Sequence, residues 1–208
     1  MANAITLSRL PLLALVVGLF YLAPPSGVAV ALGLLVVLLV LDSVDGMVAR
    51  RLGETSLLGS VLDIASDRIV EQVLWVVFAH LGLIPIWIPL LILPRGVLTD
   101  SLRGVMVAQG VEPFKATTSP LAQKLVQSRA SRGLYGASKF VAFVLLGAAL
   151  VLRAYAPAWP ASAEVLRWVH VLGHGASLVA FVFCWVRAYP VLAEAWTWVK
   201  GAAVSHEG

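Results

Sequence analysis

Charge is scarce in this chain. Only 12% of its residues are Asp, Glu, Lys or Arg, where an ordinary soluble domain carries about 25%. That scarcity excludes a disordered chain, which is polar and charge-rich. Cysteine is nearly absent too: Cys184 is the only one, which excludes a disulfide scaffold. There is no low-complexity block and no convincing internal repeat. The first apolar stretch has no small-residue cleavage site followed by polar sequence, so it reads as a retained helix rather than a removed signal. The formal charge of +4 is modest, and no nucleic-acid partner is expected.

Apolar sequence fills the space that charge leaves. It makes up 60% of the chain, and the mean hydropathy is +0.93. A soluble domain of this size would have too little polar surface to cover it. A membrane-crossing helix needs about 20 mostly apolar residues. Six stretches qualify: 5–23, 28–49, 57–81, 84–108, 133–155 and 167–199. Pro24-Pro25-Ser26-Gly27 reads as a tight turn, Gly82 and Pro85 separate the third stretch from the fourth, and Pro157 and Pro160 mark a later connector. The expected fold is an all-α integral membrane protein, one domain of six transmembrane helices over residues 1–208. Arg50, Arg51, Lys115, Lys124, Arg129 and Arg132 gather in the second-to-third and fourth-to-fifth connections. Those connections are therefore expected on the cytoplasmic side. The seven tryptophans read mostly as an interfacial belt, and His170 and His174 as interfacial residues on the far face.

Aspartate is rare, and its placement is informative. Four of the five aspartates, Asp42, Asp45, Asp63 and Asp67, lie inside or flush with expected membrane helices. Ionisable groups there are costly and mark a functional site by default. Spacings of three and four put each pair on one helix face. Gly59 lies one turn before Asp63, and Gly46 and Ala49 add almost no side chain beside Asp45. Four clustered carboxylates cannot all remain ionised without a cation. All-oxygen ligation suits Mg²⁺, Mn²⁺ or Ca²⁺ rather than zinc. Two such ions would suit a phosphoryl displacement, and the bare backbone would admit a flat ligand such as a nucleobase.

These residues spell Asp42-x2-Asp45-Gly46-x2-Ala49-Arg50-x8-Gly59-x3-Asp63-x3-Asp67. The pattern resembles the signature of the CDP-alcohol phosphotransferase family at every fixed position. The resemblance implies that fold, and transfer of a substituted phosphoryl group from a CDP-linked donor to an alcohol with release of CMP. It implies that Asp42, Asp45, Asp63 and Asp67 hold two Mg²⁺ or Mn²⁺ ions, and that Asp67 also takes the acceptor hydroxyl proton. Gly46, Ala49 and Gly59 would line the donor site, and Arg50 and Ser56 would contact the diphosphate. Asn3, Thr6 and Arg9 are similar to a weaker element that closes over the nucleotide. The donor would be CDP-diacylglycerol, the surroundings the lipid bilayer, and the active assembly a homodimer.

Arg95, Arg103 and Lys139 read as a receptor for a second phosphate, that of the acceptor. Arg95, Leu102-Arg103 and Gly136-x2-Lys139 are similar to a pattern in phosphatidylglycerophosphate synthases. Gly96 stands where those enzymes usually have an acidic residue, and Phe140 where they have threonine. The favoured acceptor is sn-glycerol 3-phosphate, with inositol 1-phosphate and phosphatidylglycerol (the cardiolipin-forming reaction) left open. Arg129, Arg132 and Arg187 are unassigned. Two rival readings of the aspartates are an intramembrane prenyltransferase and a cation or proton transporter. The transporter reading would call for a counterpart of the aspartates in the fifth and sixth helices, which is absent.

Overall fold

A computed structural model describes residues 2–52, 57–108, 128–159 and 162–205. All of the regular structure among them is helical: α1 (Ala2–Leu22), α2 (Pro25–Leu52), α3 (Leu57–His80), α4 (Trp87–Ala108), α5 (Arg129–Tyr155) and α6 (Ala163–Ser205). Gly133–Tyr155 and Ala163–Ala193 are long and apolar enough to cross a membrane, whereas the apolar stretches Ser8–Leu22 and Pro25–Leu41 are shorter.

The helices stand where the apolar runs lie, but several ends differ from expectation for local reasons. The expected turn at Pro24–Gly27 is instead the start of α2. Gly27 and Val28 donate backbone N–H bonds to the Pro24 carbonyl, and Pro25 occupies the first helical position, where a missing N–H costs nothing. Helix α5 begins four residues earlier than expected, at Arg129. Ser128 caps it, its Oγ accepting from the Ser131 N–H at 3.1 Å. Helix α3 ends in a Schellman motif: Leu83 N–H bonds to Phe78 O and Gly82 N–H to Ala79 O. Gly82 has φ of 73°, a value that favours glycine because it has no Cβ.

The described chain groups into two compact units, Met1–Pro89 with Phe140–Ser177, and Leu90–Lys139 with Leu178–Gly208. The division falls within α4, α5 and α6. In the first unit α1 packs against both α2 and α3. Tyr21 meets His80 at 5.6 Å and Phe20 meets Phe78 at 6.0 Å between ring centroids, so the C-terminal ends of α1 and α3 lie together. Phe143 of α5 joins them, 4.6 Å from Trp75 and 5.9 Å from Phe78. Trp75 is 1% exposed. It is a core residue, which corrects its assignment to the interfacial belt, whereas Trp87, Trp159, Trp168 and Trp196 are exposed.

Small residues let the backbones approach. A Cβ on Gly147 would stand 2.9 Å from Leu32 Cδ1, and one on Gly173 would stand 3.3 Å from Leu145 Cβ. The connector after α3 is tied down by polar bonds: Arg153 Nη1 donates to Leu81 O at 3.0 Å and His170 Nε2 lies 2.8 Å from Leu83 O. His170 therefore has a structural partner in the connector carbonyl. In the second unit Cys184 is buried in α6.

Candidate functional site

Of the four motif aspartates, Asp63 and Asp67 have described side chains; they stand one turn apart on α3, and both are half-buried. Four residues of helix rise about 6 Å, so the pair shares one face. The aromatic core begins with Trp75, a further ~12 Å along the same helix, which leaves the carboxylates toward the N-terminal end of α3. Asp42, Asp45, Gly46, Ala49 and Arg50 lie on the helical backbone of α2 and Asn3 and Thr6 on that of α1. Their side chains fall outside the described set, as does the whole of Ser56. Gly59 lies in the first turn of α3. Among the described residues no three His, Cys, Asp or Glu side chains gather at one point. Asp63 and Asp67 therefore represent half of the expected tetrad, and as hard oxygen donors they fit Mg²⁺ or Mn²⁺.

Arg9 is 1% exposed and sits in the interior of the first unit. It precedes Tyr21 by as many residues as Arg68 precedes His80, so the ring contact between Tyr21 and His80 puts Arg9 roughly level with Arg68 and Asp67 on the neighbouring helix. Glu71 continues the Asp63–Asp67 stripe by one more turn. It is 4% exposed, and Arg68 Nη1 lies 3.7 Å from its Oε2. The sequence reading did not use Glu71, although its spacing of four from Asp67 was a usable signal.

Among the acceptor candidates, Arg95 is buried at 7% exposure. Its Nε has no hydrogen-bond partner among the described residues. The Arg95 backbone is fixed by Thr99, whose Oγ1 donates to Arg95 O at 2.9 Å and to Gly96 O at 3.1 Å. Arg103 lies on α4 with its side chain outside the described set. Lys139 is part of a group that spacing alone did not reveal. Its Nζ lies 4.7 Å from the centroid of the Tyr135 ring, and Arg187 Cζ lies 5.9 Å from the same centroid. Arg187 Nη1 also donates to Ser131 Oγ at 3.3 Å. Arg187 is thus joined to Lys139 through Tyr135. Arg129 and Arg132 lie in the first turns of α5, their side chains undescribed.

Residues 1–202 match the CDP-alcohol phosphatidyltransferase family. The chain belongs to that family. Its members transfer phosphatidyl groups, and the family uses divalent metals in general. Over 115 residues the chain is 32% identical to proteins named "Putative cardiolipin synthase" in Mycobacterium bovis and in two strains of Mycobacterium tuberculosis. The aligned part is 55% of this chain and 54% of each relative, so the chain spans about half the length of the curated relatives it matches. The family is membrane-associated, in keeping with the long apolar segments of α5 and α6.

Proposed function

We propose that this family member transfers the phosphatidyl group of CDP-diacylglycerol to a phosphorylated alcohol, most favourably sn-glycerol 3-phosphate. The acceptor hydroxyl oxygen attacks the phosphorus that bears the diacylglyceryl group. The bond from that phosphorus to the CMP oxygen breaks, CMP leaves, and the hydroxyl proton passes to a carboxylate oxygen of Asp67. A positioned base of this kind contributes roughly 10²–10⁴-fold. Asp42, Asp45, Asp63 and Asp67 would hold divalent cations, which supply charge neutralisation for the diphosphate. Gly46 and Ala49 would line the cytidine site, and Gly59, Asn3, Thr6, Arg9, Arg50 and Ser56 would contribute to donor binding. The six helices cross the bilayer with this site on the cytoplasmic face, and the protein works as a homodimer.

The observation that carries the acceptor reading is the buried Arg95 guanidinium, with Nε unsatisfied among the described residues. A buried donor left unmade costs about 1–3 kcal/mol, and more when charged, so an anion there would be well rewarded. Lys139 and Arg187 add positive charge in the same unit. Phosphatidylglycerol is the second acceptor reading, favoured by the cardiolipin synthase name of the mycobacterial relatives.

An acceptor panel decides between them. Purified protein is given radiolabelled CDP-diacylglycerol with Mg²⁺ or Mn²⁺, and sn-glycerol 3-phosphate, inositol 1-phosphate, phosphatidylglycerol or a free amino alcohol. CMP release with labelled product from glycerol 3-phosphate is expected. Product only from phosphatidylglycerol or the amino alcohol overturns the acceptor and keeps the reaction. No CMP release with any acceptor overturns the reaction itself.

A further inference from the structure

Ser131, Tyr135 and Lys139 recur every four residues on α5, which stacks them on one face. Arg187 comes to that face from α6, bonding Ser131 at one level and standing over the Tyr135 ring at the next. The Lys139 ammonium reaches the same ring from the following turn. Two cations that would repel each other are thereby gathered around a single aromatic ring. The negative π-face of tyrosine attracts both, and the attraction grows where water is excluded. The ring has only two side-chain rotors to order, and the donor bond from Ser138 Oγ to Tyr135 O at 2.8 Å ties down the backbone that carries it.

We infer that Tyr135 is a positioning residue: its ring holds Lys139 and Arg187 at a fixed spacing, so that the two together receive the phosphate of the acceptor. The inference rests on the acceptor reading above. A phosphate monoester dianion has three terminal oxygens, enough to accept from an ammonium and from a guanidinium at once. Without the ring the two side chains would remain charged but would spread apart. The binding would then weaken through lost pre-organisation rather than through lost charge.

The test alters the ring's electron density while its shape is nearly kept. Tyr135 is replaced by Phe, by phenylalanines carrying one, two and three ring fluorines, and by Leu. Tyr135→Phe keeps the π-face and should leave the acceptor KM within about 2-fold of the parent, while Tyr135→Leu should raise it roughly 10-fold. Each added fluorine should raise the acceptor KM further, with the donor KM and the kcat at saturating acceptor unchanged. A flat acceptor KM across the fluorinated series, or equal rises in donor and acceptor KM, would overturn the inference, because a ring that only packs is indifferent to its electrons. A second arm does not depend on the acceptor's identity: thermal protection by inorganic phosphate, measured against chloride at matched ionic strength. Protection that falls with fluorination supports the ring's role even if the parent uses no phosphorylated alcohol, in which case the acceptor reading alone has failed. Protection that is flat or absent across the series overturns the inference.

Discussion

In the proposed reaction Asp67 does two things: it presents one oxygen as a ligand and receives a proton on its carboxyl group. An asparagine can do the first only. Asp67→Asn should therefore lower turnover by roughly 10²–10⁴-fold while CMP continues to raise the unfolding temperature. Substantial turnover by the Asn variant would remove Asp67 from the base role. Gly46→Val and Ala49→Leu test the neighbouring space. Each should raise the donor KM strongly, and CMP should protect the variant less than the parent against heating. Undiminished protection would place the nucleotide elsewhere. At this scale the sequence was legible where a periodicity carried the meaning. Asp63 and Asp67 share a face because four residues make about one turn, and the structure has them on one helix. Tyr135 and Arg187 were not legible, because their association joins two helices across a long stretch of chain. No spacing rule reports that.

Helices end where their backbone donors and acceptors find other partners, so element boundaries follow single residues. Ser128 moved the start of α5 back into polar sequence, and a hydropathy reading had no reason to begin there. Pro25 falls in the expected turn and instead starts α2, because proline is disruptive only where an N–H is needed. Gly82 separates α3 from α4, as its place in the sequence implies. Position along the chain places the tryptophans mostly at span ends, and Trp75 departs from that because it turns inward onto Phe143. Trp75→Ala should cost about 3–5 kcal/mol of stability, read as a lowered unfolding midpoint. Close packing of α6 on α5 gives a complementary prediction. In Gly173→Leu the new Cβ would crowd Leu145 Cβ and, at 3.4 Å, the Leu146 backbone nitrogen. Overpacking of this kind costs about 1–3 kcal/mol. A midpoint unchanged from the parent would mean the helices separate readily at this point.

For the whole molecule, composition is the most informative reading: scarce charge and abundant apolar sequence point to a membrane protein before any motif is considered, and the family that residues 1–202 match is membrane-associated. The acceptor was less legible, since it depends on where a few cationic side chains converge. Chelation by EDTA should abolish CMP release, and added Mg²⁺ or Mn²⁺ should restore it. Full activity after exhaustive chelation would separate the aspartates from any metal role.

Cys184 offers a different kind of access to the molecule. It is the chain's single thiol and is 1% exposed, so an alkylating reagent can reach it only when its surroundings open. In excess reagent the labelling rate then becomes a clock for that opening, with no foreign probe introduced. The first unit carries no thiol at all, so the clock runs on the second unit alone. Alkylation as fast as that of a free thiol would contradict the packing of α6, whereas slow alkylation would time the breathing of the unit that holds Arg95, Tyr135, Lys139 and Arg187.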